Sequence, residues 1–349
     1  MAKSFLQQHR GSLFALLVLI LFPFVVGLYD GASPAAVWAN QSGLSRFLQG
    51  LVIEIFILAL FGLSYDLIFG VTGLLSFGHS MFFAVGAYTS GIAIKSFGLG
   101  LGETLLLVLL AALAQAILFG VVLPRVKGLT FALVTLGMAS VFHIVIQSAE
   151  FGMYTGADVG LQGVVVPDFI SPVTQRLRLY FISLGTLIFF YLLYQRFVSS
   201  PTGRVCTAIR ENEDRAKMLG YNTFTFKFAA LLLSSITAAL AGTLHTIYQP
   251  IVSPNTASLI YTVTALLIVL IGGIGTLSGA IVGAFIFRLL DFGLRRYIGE
   301  AASLLTGTVY VMFVLFIPYG IVGTWRLRQL DIQRGRERFL RLLTGKGDP

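Results

Sequence analysis

Long windows free of Asp, Glu, Lys and Arg constrain this chain more than any other feature. They lie between Arg10 and Asp30, Asp66 and Lys95, Glu103 and Arg125, Lys127 and Glu150, Arg178 and Arg196, Lys227 and Arg288, and Glu300 and Arg326. A helix needs about 20 predominantly apolar residues to cross a bilayer, and most of these windows are near that length. The 349 residues are 56% hydrophobic and 11% charged, with mean hydropathy +0.88; soluble domains carry roughly 25% charged residues. A water-soluble fold would have to hide almost everything, so the chain reads as an all-α integral membrane protein.

The expected spans are residues 11–29, 48–69, 73–94, 103–123, 129–149, 179–196, 227–247, 257–290 and 300–326. At ~1.5 Å per residue the stretch 257–290 is too long for a core ~30 Å thick, so it tilts steeply or breaks. If it is one helix, the Arg-rich tail falls outside the cell, against the positive-inside tendency. If it breaks near Gly272-Gly273-Ile274-Gly275, the tail returns inside and the spans number about ten. Charge parity favours ten, with both termini cytoplasmic, and 17 of the 24 Lys and Arg then lie on the cytoplasmic side. The net charge of +9 thus reflects membrane topology rather than nucleic-acid binding. Arg176, Arg178, Arg295 and Arg296 fall outside against the rule, partly offset by Glu150, Asp158, Asp168 and Glu300. Residues 1–325 read as the transmembrane domain, with a cytoplasmic loop at 197–226, and residues 326–349 as a basic cytoplasmic tail. The first apolar run exceeds the ~7–15 residues of a signal-peptide core and reads as an uncleaved anchor. The single cysteine, Cys206, excludes an internal disulfide, and no His or Cys cluster has metal-ligand spacing.

Gly275, Gly279 and Gly283 recur every fourth residue, the spacing of a helix-packing stripe. Ala87 with Gly91, and Ala238 with Gly242, share that spacing. Ionisable groups within spans are costly and are functional candidates by default, which singles out Glu54, Asp66, His79 and Asp291. Gln115, His143 and Gln147 read as helix–helix hydrogen bonders. FGVTGLLSFG, residues 69–78, carries three glycines with Thr72 and Ser76. The glycines either loosen a helix and expose backbone groups to a substrate or form a simple tight turn. The candidate translocation path is therefore Glu54, Asp66, Thr72, Ser76 and His79. No GxxxxGK[ST], GxSxG or HExxH occurs, so the chain is expected to be no enzyme and to hold no ATP by a P-loop of its own.

The most informative polar stretch is SSPTGRVCTAIRENEDRAKMLGYN, residues 199–222. Thr207 to Leu219 reads as one short helix ended by Gly220, with Ala208, Ile209, Ala216 and Leu219 at helical spacing. Alone it would be marginal, so it is expected to dock. Its mixed charges suit a soluble protein partner better than anionic lipid.

GLSYDLIFGVTGLLSFGHSMFFAVGAYTSG (62–91), SPTGRVCTAIRENEDRAKMLGYN (200–222) and LIGGIGTLSGAIVGA (270–284) resemble the LivM-type permeases of branched-chain amino acid ABC importers, the hydrophobic amino acid uptake family. The resemblance implies an ABC importer permease fold of ten helices, with a coupling helix between spans six and seven. It also implies a second, homologous LivH-type permease, two cytoplasmic ATPases that bind ATP and Mg, and an extracytoplasmic solute-binding protein. Coupling would fall to Gly203, Arg204, Ala208, Ile209, Arg210, Glu211, Asn212, Ala216 and Gly220, within a bacterial or archaeal cytoplasmic membrane. TGADVGLQGV, residues 155–164, resembles the family's external loop but departs from it at Ala157 and Asp158. That departure leaves urea or short-amide permeases of the same family as an alternative. A proton-coupled secondary transporter relaying through Glu54, Asp66 or His79, and a purely structural membrane subunit, are the other readings.

Overall fold

The computed structural model describes residues 10–31, 33–40, 43–325 and 327–328; all of the expected basic tail except residues 327–328 lies outside the described residues. Among the described residues, six helices are long and apolar enough to cross a membrane: Leu44–Val71, Leu101–Val122, Leu129–Gln147, Arg176–Ser199, Thr223–Tyr248 and Leu305–Trp325. The protein is a multi-span α-helical bundle. Its principal helices are α1 (Arg10–Tyr29), α2 (Leu44–Asp66), α3 (Ser80–Lys95), α4 (Leu101–Val122), α5 (Leu129–Gln147), α6 (Arg176–Ser199), α7 (Pro201–Glu211), α8 (Glu213–Met218), α9 (Thr223–Tyr248), α10 (Leu259–Gly272), α11 (Ser278–Ile298) and α12 (Ala302–Phe316).

The axis of the bundle is α2. Its membrane window is 83% buried, against 33% for α4 and 28% for α5. A helix apolar on every side is a buried one, and α2 packs on α1, α6, α9, α10 and α11. The outer helices α4 and α5 instead present Leu106, Leu110, Leu133 and Ile144 outward, as lipid-facing helices do.

Two interruptions depart from a simple bundle. The helix expected over 73–94 starts only at Ser80, because α2 ends in a wide π turn, Leu67–Val71, and residues 72–79 are non-helical. The start of α3 is tied instead to α10 and the short 3-10 helix before it: Ser80 N donates to Thr262 Oγ1 at 2.9 Å and its hydroxyl donates to the Ala257 carbonyl at 3.1 Å. The second interruption, residues 273–277, divides the 257–290 stretch where the glycines lie. Of its 14 residues, α10 makes a rod of about 21 Å, short of the ~30 Å core.

The backbones of α3 and α9 come into direct contact. A Cβ on Gly86 would lie 1.9 Å from the Ala239 carbonyl oxygen, and one on Gly242 would lie 2.0 Å from that of Phe83. At the far end from α7, Leu161–Gln162 pairs antiparallel with Ile251–Val252, and Tyr88 donates its hydroxyl to the Val252 carbonyl at 3.2 Å.

The single helix expected over Thr207 to Leu219 is in fact two. Ser200 caps the first, its hydroxyl accepting from Gly203 N at 3.3 Å with Pro201 at the first position. Asn212 is extended, and its side chain accepts from Arg215 N at 2.9 Å, so it ends α7 and starts α8. Asn is among the strongest N-caps, and this local bond outweighs continuation of the helix.

Candidate functional site

At the end of α2 the chain turns from helix to irregular backbone, and its polar groups need partners that lipid cannot supply. Asp66, fully buried, accepts the Gly275 amide on Oδ1 at 2.6 Å. Thr72 donates its hydroxyl back to the Ile68 carbonyl. The Gly70 carbonyl accepts from Nη1 of Arg210, which reaches in from α7. Gly73 has φ +73°, a left-handed conformation natural to glycine, and a Cβ there would lie 2.9 Å from Arg210 Cγ. Gly275 also has φ +73°; a Cβ on it would lie 2.9 Å from the Gly70 oxygen and 3.0 Å from Arg210 Nη1. Both interruptions and the surface helix therefore meet at one point.

The sequence carried a signal for this junction that the glycine-stripe reading missed. Gly73-Leu74-Leu75-Ser76 and Gly275-Thr276-Leu277-Ser278 share the pattern G-x-L-S, and the two glycines share one conformation. Gly275 precedes α11, so it is not on the stripe its spacing suggested. Gly279 and Gly283 are on the helix, where added Cβ atoms would meet backbone of Gly272 and Ile268.

The other residues named for coupling divide between two faces. Gly203 lies against the Phe197 and Val198 backbone, where a Cβ would come within 2.3 Å of a carbonyl oxygen, and Ile209 and Ala216 are buried, as is the neighbouring Cys206, which was not named for coupling. Burial pushes the Cys206 thiol up to about 11. Arg204, Ala208, Glu211, Asn212 and Gly220 are exposed, as is the body of Arg210. Beside them Met218 is 81% and Leu219 71% exposed.

A set of ion pairs holds α8. Glu213 accepts from Lys227 at 2.5 Å, Lys217 at 3.0 Å and Thr223 at 3.1 Å. Burial alone would raise its carboxyl, but the bonds from Lys227 and Lys217 outweigh it and hold the group at about 2. Asp214 pairs with Lys127 at 2.7 Å; the shared hydrogen bond lowers the carboxyl and raises the ammonium. Glu213, Lys127, Lys217 and Lys227 line a cavity of about 230 Å³ with Tyr221 and Phe224.

The five candidate path residues do not form one cluster. Asp66 and Thr72 belong to the junction. His79 and Ser76 lie in the bundle interior, fully buried. His79 Nε2 lies 2.8 Å from Ser64 Oγ, and its ring stacks on Phe61 at 5.3 Å. His79 Nδ1 and Ser76 Oγ have no hydrogen-bond partner among the described residues. Glu54 is remote, three helical turns up α2 from Asp66. It pairs with Arg288 of α11, which also bonds Asp291 at 3.0 Å, while Gln249 donates to Glu54 at 3.2 Å. This network satisfies Asp291, and Arg295 joins it at 2.7 Å.

His143 bonds the Pro254 carbonyl, at the start of the short 3-10 helix Pro254–Ala257, at 3.0 Å. Neither side-chain polar atom of Gln115 has a hydrogen-bond partner among the described residues.

A buried axial helix, two interruptions cross-tied inside the bundle and a surface helix whose Arg210 reaches both define a multi-span α-helical membrane protein. The chain belongs to the family described as branched-chain amino acid transport system / permease component, whose sequence model matches residues 47–318. It is 27% identical over 302 residues to the high-affinity branched-chain amino acid transport system permease protein LivM of Salmonella typhimurium, covering 79% of this chain and 70% of that one. It is 24% identical over 282 residues to the permease protein BraD of Pseudomonas aeruginosa, covering 76% and 91%. To the permease protein LivH of Escherichia coli it is 23% identical over 291 residues, covering 76% and 91%. No solved structure matches the chain.

Proposed function

We propose that this chain is a LivM-type permease subunit of an ABC importer in a bacterial or archaeal cytoplasmic membrane, carrying branched-chain or other hydrophobic amino acids. The observation that carries the reading is the two-faced α7–α8 pair. One face, with Cys206, Ile209 and Ala216, is buried against the bundle; the other exposes Met218, Leu219 and a mixed set of charges, and from it Arg210 reaches both interruptions. Exposed apolar side chains rimmed by charge suit a soluble protein partner. The partner implied is a cytoplasmic ATPase that supplies the P-loop absent from this sequence. Ten crossings follow if α1–α6 and α9–α12 each traverse, with α3 and α10 completed by irregular chain at membrane depth, as in other transporters. That topology makes residues 197–226 the cytoplasmic coupling loop, within a transmembrane domain of residues 1–325.

In this mechanism ATP closes the ATPase dimer, α7 and α8 move with it, and the paired permeases switch the side to which their central cavity opens. A proton relay is less well supported: Glu54 is committed to Arg288 and Asp66 to the Gly275 amide. The test is uptake by the complex reconstituted in liposomes. Branched-chain amino acid uptake is expected only with both ATPases, ATP and a solute-binding protein present. Uptake that persists without the ATPases, or collapses with an uncoupler while ATP is maintained, would overturn the reading.

A further inference from the structure

The geometry points to Arg210 as the positioning residue that ties both membrane interruptions to one state of the coupling helix, an inference that rests on the function proposed above. The argument begins with the backbone. A chain that leaves helical geometry inside a bundle exposes amide and carbonyl groups whose satisfaction decides which conformation holds. At this junction those groups are satisfied crosswise. The amide of Gly275, from the second interruption, bonds Asp66 at the edge of the first. The carbonyl of Gly70, from the first, bonds Arg210. The Gly70 oxygen and Arg210 Nη1 also pack on Gly275, while the aliphatic stem of Arg210 packs on Gly73.

Neither interruption can therefore shift without breaking a bond to the other or to Arg210. The guanidinium suits this place because it stays charged and presents several donors in a rigid fork. The body of Arg210 is exposed on the face left open for a partner, so one side chain spans the distance from that surface to the interruptions. When α7 moves with an ATPase, Gly70 loses a charge-assisted donor, and Gly73 and Gly275 lose the wall they pack against. Both interruptions are then released together. Ile209 and Cys206 on the same helix, by contrast, are buried apolar anchors that hold α7 in place.

The test measures amino acid imported per ATP hydrolysed by the reconstituted complex, together with the amount of assembled complex. Arg210→Ala and Gly275→Ala are expected to lower that ratio by roughly tenfold, within the range of allosteric couplings. Arg210→Lys, which keeps the charge but not the fork, should fall between them and the wild type. A merely structural role predicts less assembled complex with an unchanged ratio in what remains, and that result would overturn the inference. Hydrogen exchange on the wild-type complex gives a second readout independent of variant folding. Residues 72–77 and 273–277 should change protection together between nucleotide-free and ATP-trapped states; a change in only one, or in neither, would also overturn it. Uptake by the wild-type complex without ATP would remove the proposed function and the latch with it. An unchanged ratio in Arg210→Ala beside an ATP-dependent wild type would remove the latch alone.

Discussion

Three residues beyond Arg210, Glu213 anchors α8 through two lysines and a threonine. Its carboxyl sits at about 2, below the usual 4.5, so the native state favours the ionised form. A depressed pKa contributes stability that is full above the unfolded value and is lost as pH falls through the folded one. Glu213→Gln is therefore expected to lower stability by roughly 2 kcal/mol, the scale of a hydrogen bond to a charged partner. The gap from wild type should be constant above about pH 4.5 and close as pH falls toward 2. Thermal unfolding in detergent across that range checks both points; a gap that persists at pH 2 would assign the effect to packing. Asp66 poses a different case. Its burial was legible as an anomaly in an apolar span, but its partner was not, because the Gly275 amide is 209 residues away and backbone donors leave no mark in composition.

At the scale of elements, the seam between α3 and α9 depends on missing side chains. Gly86→Ala and Gly242→Ala would each drive a methyl into a backbone carbonyl, and overpacking of this kind costs about 1–3 kcal/mol. Gly137, on the lipid-facing α5, has nothing within 4 Å of an added Cβ; Gly137→Ala should be neutral or stabilising by up to ~1 kcal/mol, the helix-propensity difference. Unfolding of the three variants in one detergent compares them directly, and equal effects would rule out the seam as the cause.

The elements also show where the sequence could be read. The division of residues 257–290 was legible because bilayer thickness bounds helix length and the glycines marked the place. The late start of α3 was legible only in part: the glycines of residues 69–78 marked a loosened helix or a turn, but charge-free windows cannot tell helix from extended chain, so the span was expected to start at residue 73. The split at Asn212 was missed for a related reason: side-chain spacing continues through it, while the cap is a single local bond. The glycine stripe failed at Gly275, whose spacing continues the pattern of Gly279 and Gly283 although its backbone is left-handed.

In the molecule as a whole, two sides of the bundle differ. The side formed by α4 and α5 exposes mainly apolar side chains, among them Leu106, Leu110, Leu133 and Ile144, and suits lipid. The side bearing α10 and the upper half of α2 exposes Ile260 at 79% and carries Thr264, Gln249 and the partly exposed Glu54–Arg288 pair. Charge facing lipid within the membrane is costly, so this face should meet protein. Both LivM and LivH of Escherichia coli are relatives of this chain, and each is named as a permease of the high-affinity branched-chain system. If the paired permeases proposed above hold, the occupant expected here is the second permease of the pair. A photoreactive side chain at Ile260 or Thr264 should capture that subunit in the membrane, whereas one at Leu106 or Leu133 should capture lipid. Capture of the second permease from Leu133 rather than Ile260 would reverse the assignment of the two sides and place the Glu54–Arg288 pair against lipid. The pair would then have to serve only to hold α2 to α11, and exchanging its charges, Glu54→Arg with Arg288→Glu, would leave transport intact.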